Sequence, residues 1–110
     1  MSISTHVLDT SKGRPADGVA VVLEMQNAEG GFTEIAAGST DSDGRLLLVD
    51  GEPARGTYHL RFAIGEYFWR SGYRTFFPIA EIAFVVDKTN EKYHIPLLLS
   101  PFGYSTYRGS

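Results

Sequence analysis

The chain has 110 residues, a formal net charge of −3 and no cysteine. This length suits a single domain over residues 1–110, and the lack of cysteine excludes disulfides, thiolate metal sites and a cysteine nucleophile. Because the charge is mildly negative and no basic run is present, no nucleic-acid partner is expected. No apolar stretch approaches the roughly 18 residues that cross a bilayer, and the first residues do not resemble a secretory signal. We therefore expect no membrane partner and a cytoplasmic location.

Short alternating segments separated by turn residues run through the first half of the chain. Strands are predicted at about residues 4–9, 18–26, 32–39 and 45–49. In the second of these, Val21 and Leu23 share one face while Glu24 lies on the other, as a half-buried strand requires. Asp41–Gly44 is a strong turn signal, because glycine accepts positive φ and aspartate bonds its own backbone. Such a pattern is typical of a β-sandwich or barrel.

The second half continues the strand pattern with one interruption. Further strands are predicted around Tyr58 to Ile64, at 81–86, at 92–99 and after Pro101. His59 and Arg61 lie opposite the apolar face of the first of these and are expected to be solvated. The glycine-bracketed segment 65–72 breaks the alternation and predicts one or two helical turns, whose aromatic residues 67–69 should pack on a sheet edge. Eight strands and one short helix predict an all-β fold of two packed sheets.

Three side chains that can carry charge occupy positions of interest: His6 on the first strand, Arg45 at the start of the fourth, and His94 on the seventh. His94 alternates with Tyr93 and Ile95, so it should point away from the core. Histidine titrates near neutrality, and arginine holds a planar anion with two hydrogen bonds. Brought together, the three would suit metal-free hydrolysis of an anionic heterocycle, although their spacing does not show that they meet.

Each of these signals also has a plainer interpretation. His6 could be a solvated residue near the chain start, His94 a half-exposed strand residue, and Arg45 a cation that flanks a turn. Asp41 and Asp43 lack the further ligands of a calcium loop, so they indicate a turn. The segment 107–110, built from a tyrosine, an arginine and a hydroxyl after an apolar strand, could anchor at a site, or could be a plain edge strand.

The joint pattern resembles a known family. The matching segments are Ser4–Thr10, Gly13–Ala16, Thr40–Arg45, Tyr93–Pro101 and Tyr104–Ser110. Together they resemble the 5-hydroxyisourate hydrolases, the transthyretin-like enzymes of purine catabolism, over essentially the whole chain. The ending Tyr107-Arg108-Gly109-Ser110 is the most specific marker, because hormone-carrying transthyretins share the fold and lack it. Ile79 departs from the acidic residue that many members carry, but it lies outside the supposed site.

This resemblance implies a fold, an assembly and an activity. The fold would be a transthyretin-type sandwich of two four-stranded sheets, with the first, fourth, seventh and eighth predicted strands in one sheet. Its outer face would line a channel between the dimers of a homotetramer. The activity would be hydrolysis of 5-hydroxyisourate to 2-oxo-4-hydroxy-4-carboxy-5-ureidoimidazoline, without metal or cofactor. The residues implied are His6, Arg45, His94 and Ser110 for catalysis, and Arg45, Tyr107 and Arg108 for substrate binding.

Two other functions remain compatible with the sequence. The first is a transthyretin-like carrier that holds a small ligand without chemistry, against which the histidines, the arginine and the ending argue. The second is a structural β-sandwich such as an accessory or adhesion domain. Such a domain normally accompanies other domains or a secretion signal, and the sequence indicates neither.

Overall fold

The computed structural model describes residues 1–110 and contains nine strands and one short helix. The strands are β1 (Ser2–Asp9), β2 (Arg14–Pro15), β3 (Ala20–Gln26), β4 (Phe32–Ser39), β5 (Arg45–Asp50), β6 (Gly56–Phe62), β7 (Ala80–Val86), β8 (Lys92–Ser100) and β9 (Gly103–Thr106), and the helix α1 spans Ile64–Arg70. All eight strands predicted from the sequence form. The prediction of an all-β fold with one short helix is therefore confirmed.

The strands form two sheets. In one, β1 is central: β8 runs parallel to it on one side, β5 and β2 pair antiparallel on the other, and β9 extends the sheet beyond β8. The other sheet has the order β4-β3-β6-β7 with all neighbours antiparallel. The four strands predicted to share a sheet, here β1, β5, β8 and β9, do so.

The first sheet contains a fifth strand, β2, in addition to the four that were predicted. After β1 the chain reverses through a tight turn that ends at Gly13, whose φ of 67° favours glycine. Arg14 and Pro15 then return beside β1 and pair with Asp9 and Leu8. The two-residue strand escaped prediction because it lies inside a stretch that carries only turn signals.

The core lies between the sheets and contains 19 buried hydrophobic residues. On β8, Tyr93, Ile95 and Leu97 are buried while His94 is only partly buried, and β1 and β6 alternate in the same way. Burying one large apolar side chain stabilises a fold by about 1.5–3 kcal/mol. Each strand therefore keeps one face in the core, and the side chains on the other face of β1 and β8 point outward in well-defined directions.

The helix α1 begins at Ile64, one residue before the predicted segment. Ile64 and Phe68, four residues apart, are fully buried, and Tyr67 is nearly so. Trp69 was expected to pack with them, but it is 79% exposed because it lies on the opposite face of the helix. At seven residues, this helix is too short to cross a membrane, and the structure contains no other.

A buried carboxylate ties α1 to β1. Asp9 accepts hydrogen bonds from the Ser11 backbone and hydroxyl, from the Lys12 backbone and from the Tyr67 hydroxyl, which is 2.7 Å away. Burial raises the pKa of Asp9, but these hydrogen bonds together lower it more, so the net pKa lies below its ordinary value. Burial and the neighbouring carboxylate both raise the pKa of Tyr67. The pair therefore holds a charged acceptor and a neutral donor at physiological pH.

On the outer face of the four-stranded sheet, the expectation that His59 is solvated is wrong. His59 is not solvated: 18% of its side chain is exposed, and its Nδ1 lies 3.1 Å from the Glu24 carboxylate. Phe32 covers its ring at 5.0 Å between centroids. Arg61 is more open and lies 3.7 Å from Glu81. Strand alternation gives the direction of a side chain, but it does not show which neighbours on adjacent strands will cover it.

Candidate active site

The outer face of the five-stranded sheet brings the two histidines and the arginine together. His6 lies opposite Arg45 in the β1–β5 pairing and opposite Pro96 in the β1–β8 pairing. His94 lies one alternation back along β8, opposite Ser4. The imidazole centroids of His6 and His94 are 6.5 Å apart. His94 points away from the core, as its position in the strand predicted.

The turn before β5 positions both His6 and Arg45. Asp41 Oδ1 accepts hydrogen bonds from the backbone N–H groups of Asp43 and Arg45, each at 2.9 Å. The Asp43 carbonyl lies 2.8 Å from His6 Nε2. Gly44 has a φ of 76°, and a Cβ there would lie 2.3 Å from the Val7 carbonyl, so the turn requires glycine at this position.

The contact with Asp43 determines which nitrogen of His6 carries hydrogen. A carbonyl oxygen only accepts, so His6 Nε2 donates to it. In neutral His6 the lone pair therefore lies on Nδ1, which is the nitrogen that can take a proton. The backbone of the β5 turn thus sets the tautomer of an imidazole on β1.

His94 has a different partner. Its Nδ1 lies 2.9 Å from the Ser4 hydroxyl on the adjacent strand. Burial lowers the pKa of His94 below its ordinary value, and the charges of His6 and Arg45 lower it further. His94 is therefore neutral at pH 7 and available as a proton acceptor. The sequence reasoning missed Ser4, although its position two residues before His6 on the same face of β1 was a usable signal.

The C-terminal segment lies alongside β8 and reaches this face. The Gly109 N–H donates to the His94 carbonyl at 2.8 Å, which extends the β8–β9 pairing beyond β9. Arg108 lies 3.2 Å from Glu91 and stacks over the Tyr93 ring at 4.6 Å. A Cβ on Gly109 would lie 2.6 Å from His94 Cδ2, so only glycine lets the segment pass so close to the imidazole.

A cavity of about 370 Å³ opens on this face. Arg45, His94 and Ser110 line it, together with Ser4 and Lys92, while His6 stands beside it rather than in its lining. No aspartate or glutamate side chain lines it. Three of the four predicted catalytic residues therefore share one cavity.

Tyr107 and Arg108, the other predicted binding residues, line a different cavity of about 340 Å³. This second cavity lies between β7 and the C-terminal segment, and His94 borders both cavities. The contacts of Arg108 anchor the segment to β8. A direct role for Tyr107 and Arg108 in substrate binding stays a prediction.

The arrangement offers two imidazoles, a guanidinium and hydroxyl groups on one open face. Nowhere in the molecule are three or more histidine, aspartate or glutamate side chains grouped so that they could hold a metal ion. Imidazoles transfer protons near neutral pH, and a guanidinium stabilises a planar anion. The site is therefore equipped for general acid–base chemistry on a substrate that becomes negatively charged.

Comparison with known proteins finds 5-hydroxyisourate hydrolases and a transthyretin that binds thyroxine. Two curated proteins named 5-hydroxyisourate hydrolase are similar over 98% of this chain: one from Salmonella typhimurium at 49% identity, covering 80% of that protein, and one from Mus musculus at 40%, covering 94%. The solved 5-hydroxyisourate hydrolase of Klebsiella pneumoniae matches with a TM-score of 0.86 at 37% identity, over 100% of both chains. Sea bream transthyretin in complex with thyroxine matches with a TM-score of 0.93 at 33% identity, over 99% of this chain and 95% of that one.

The fold alone therefore does not separate catalysis from ligand binding, so the residues of the site must distinguish the two functions. The model of the HIUase/Transthyretin family matches residues 3–109, which include β1, the β5 turn, β8 and most of the C-terminal segment. These are the parts that build the cavity and its surroundings. With this match over nearly its whole length, the chain belongs to the HIUase/Transthyretin family.

Proposed function

We propose that this protein hydrolyses 5-hydroxyisourate to 2-oxo-4-hydroxy-4-carboxy-5-ureidoimidazoline. The observation that carries the proposal is the meeting of His6, Arg45 and His94 on one sheet face beside Ser110. The curated relatives at 40–49% identity that bear the name 5-hydroxyisourate hydrolase support the same activity. An enzyme of this kind needs a base, a group that stabilises an oxyanion, and a proton for the leaving nitrogen.

The two histidines supply the proton transfers. A water molecule attacks a carbonyl carbon of the six-membered ring and gives a proton to an imidazole. The C–N bond then breaks, and the imidazolium returns the proton to the leaving nitrogen. His94 is suited to the first step because it is neutral at pH 7, and the Nδ1 lone pair of His6 faces no protein partner. General acid–base catalysis of this kind contributes roughly 10²–10⁴ in rate.

Arg45 and Ser110 act on the substrate. The guanidinium of Arg45 stabilises the negative charge that develops on the attacked carbonyl oxygen and then on the product carboxylate. Ser110 lines the cavity with His94, where its hydroxyl orders the water or the substrate. Tyr107 and Arg108 shape the neighbouring cavity and hold the C-terminal segment in place.

A homotetramer, a dimer of dimers, is part of the same proposal. The site lies on an open sheet face, so the second wall of a channel would come from another copy of the chain. Strand edges and apolar side chains are available for association: Val85 on the edge strand β7 is 62% exposed, and Tyr107 is 57% exposed. The cytoplasmic location expected from the sequence also stays a prediction.

One assay separates the enzyme from a carrier of the same fold. Urate oxidase generates 5-hydroxyisourate from urate in the cuvette, and its ultraviolet signal is followed with and without the protein. We expect faster decay with the wild type and decay near the uncatalysed rate with the folded variant His94→Asn. Tight binding of thyroxine without any acceleration would instead support the carrier.

A further inference from the structure

Lys92 is a basic residue of the cavity that the catalytic scheme above does not use. It begins β8, two residues before His94 and on the same strand face, opposite Ser2 of β1. Its side chain lines the same cavity as Arg45 and His94. Because its backbone carbonyl accepts a hydrogen bond from Arg108, its position on β8 is tied to the anchored C-terminal segment.

The Lys92 ammonium has no partner within the protein. None of the four ion pairs of the molecule involves it, and its Nζ makes no hydrogen bond. Lys12 shows the contrast, since its Nζ donates to Ser71 and lies over the rings of Tyr67 and Tyr73. The Lys92 charge is therefore free to act on a bound molecule.

The lining of this cavity differs in charge from the whole chain. The chain has 13 aspartate and glutamate residues against 10 lysine and arginine residues. The cavity nevertheless contains two cationic side chains, Arg45 and Lys92, beside the neutral His94, and no aspartate or glutamate side chain lines it. Two cationic side chains in one cleft concentrate anionic ligands there and raise their rate of association.

We propose that Lys92 is a second anion-binding residue of this site and acts with Arg45 to select negatively charged heterocycles. The inference rests on the function proposed above. Arg45 is on β5 and Lys92 on β8, and these strands flank β1 on opposite sides, so the two cations approach the cavity from two directions.

The chemistry of ring opening explains why two cations are useful. Hydrolysis converts a ring amide into a carboxylate, so the product carries one more negative charge than the amide it replaces. Arginine binds a planar anion through two fixed N–H donors, whereas lysine is a compact charge on a flexible stem. Arg45 is therefore suited to the reacting group, and Lys92 to the overall charge of the substrate. Lys92 therefore contributes to the affinity for the substrate, and it takes no part in the chemical step.

The test compares Lys92→Gln, Lys92→Arg and the control Lys88→Gln in the urate oxidase assay at low and high salt. Lys88 is an exposed lysine in the turn between β7 and β8 and lines none of the described cavities. For Lys92→Gln we expect KM to rise about 5- to 10-fold with kcat within about 2-fold, and the salt dependence of kcat/KM to weaken. Lys92→Arg and Lys88→Gln should both behave like the wild type.

The kinetics of Lys92→Gln can contradict the proposed role of Lys92 in two ways. An unchanged KM and salt dependence in Lys92→Gln would overturn the role of Lys92 while the proposed activity stands. A fall in kcat with KM unchanged would place Lys92 in the chemical step and also overturn the proposal. If the wild type does not accelerate decay, both the activity and the role of Lys92 are wrong. Circular dichroism establishes that the variants are folded, and Lys92→Arg tests the charge even if Lys92→Gln is unstable.

Discussion

At the scale of single residues, the hydrogen bond between Ser4 Oγ and His94 Nδ1 fixes the orientation of the imidazole. Partners of this kind hold a histidine in one ring orientation, and at metal-bound histidines their loss typically costs about 10- to 100-fold in affinity or activity. We predict that Ser4→Ala lowers kcat about 10-fold without a comparable loss of stability, and that Ser4→Thr, which keeps a hydroxyl, retains most activity. Steady-state kinetics and thermal unfolding measure the two effects.

Ser39→Ala is the matched control for that substitution. Ser39 is an exposed serine of β4 in the other sheet, and its hydroxyl makes no hydrogen bond within the protein. Equal activity of Ser4→Ala and Ser39→Ala would show that the Ser4 hydroxyl has no positioning role.

The lowered pKa of His94 predicts the pH dependence of catalysis. A base acts only when it is unprotonated, so kcat/KM should fall as the pH drops through the pKa of His94. Burial and the nearby charges of His6 and Arg45 lower that pKa below 6.5, so the acid limb should lie below pH 6.5. A profile of log kcat/KM from pH 5 to 9 measures it. A limb centred above pH 6.5 would contradict a neutral His94 as the base.

At the scale of elements, the C-terminal segment and β8 form a tight pair whose spacing depends on Gly109. An alanine Cβ there would lie 2.6 Å from His94 Cδ2 and 3.3 Å from a Pro96 side-chain atom, so the ring or the segment must shift. We predict that Gly109→Ala lowers kcat roughly 10- to 100-fold, because small displacements of catalytic groups are costly. The control is Gly103→Ala on β9, whose added Cβ would approach no atom closer than 3.8 Å. Similar kinetics in the two variants would mean that the close contact with His94 is unimportant.

The hydrogen bond from Tyr67 on α1 to Asp9 on β1 predicts how the stability of the protein depends on pH. Because the pKa of Asp9 is lowered in the folded protein, its contribution to stability is present above the ordinary value of 3.8 and is lost as the pH falls through the folded value. Tyr67→Phe removes one of the hydrogen bonds that lower this pKa. The variant should lose about 1–3 kcal/mol of unfolding free energy at pH 7 and should unfold at a higher pH than the wild type.

Urea unfolding followed by circular dichroism between pH 2 and 7 measures both effects. Tyr73→Phe is the control, since Tyr73 is 50% exposed and its hydroxyl makes no hydrogen bond within the protein. If the two variants lost equal stability, the buried bond to Asp9 would not be the cause.

The elements also show which parts of the structure a sequence can predict. Alternation predicted the strands and the outward direction of His94, because the side-chain period of a strand is a local property. The meeting of His6 and Arg45 depends on the pairing of β1 with β5, which joins residues 39 positions apart and leaves no local signal. The family resemblance predicted it only because related chains share that pairing. Ser4 and Lys92 could have been found by extending the alternation two residues from His6 and His94.

At the scale of the whole molecule, the two cavities open at different places on the surface. One outer face carries the basic cavity, and the second cavity opens at the edge strand β7 beside the C-terminal segment. Because His94 borders both cavities, any copy of the chain that docks at the β7 edge would lie close to the residue proposed as the base. Assembly and activity should therefore be linked.

A charged residue at the exposed edge of β7 would test this link. Val85 lines the cavity there, and a lysine in its place would put a charge into an apolar contact between copies. We predict that Val85→Lys shifts the protein from the proposed tetramer to smaller species in sedimentation velocity and lowers activity in parallel. Ile35→Lys is the matched control, because Ile35 is 46% exposed on β4, the opposite edge of the same sheet, and lines none of the described cavities. A dissociated Val85→Lys with wild-type activity would show that each chain holds a complete site by itself, and an undisturbed tetramer would show that copies associate through another surface.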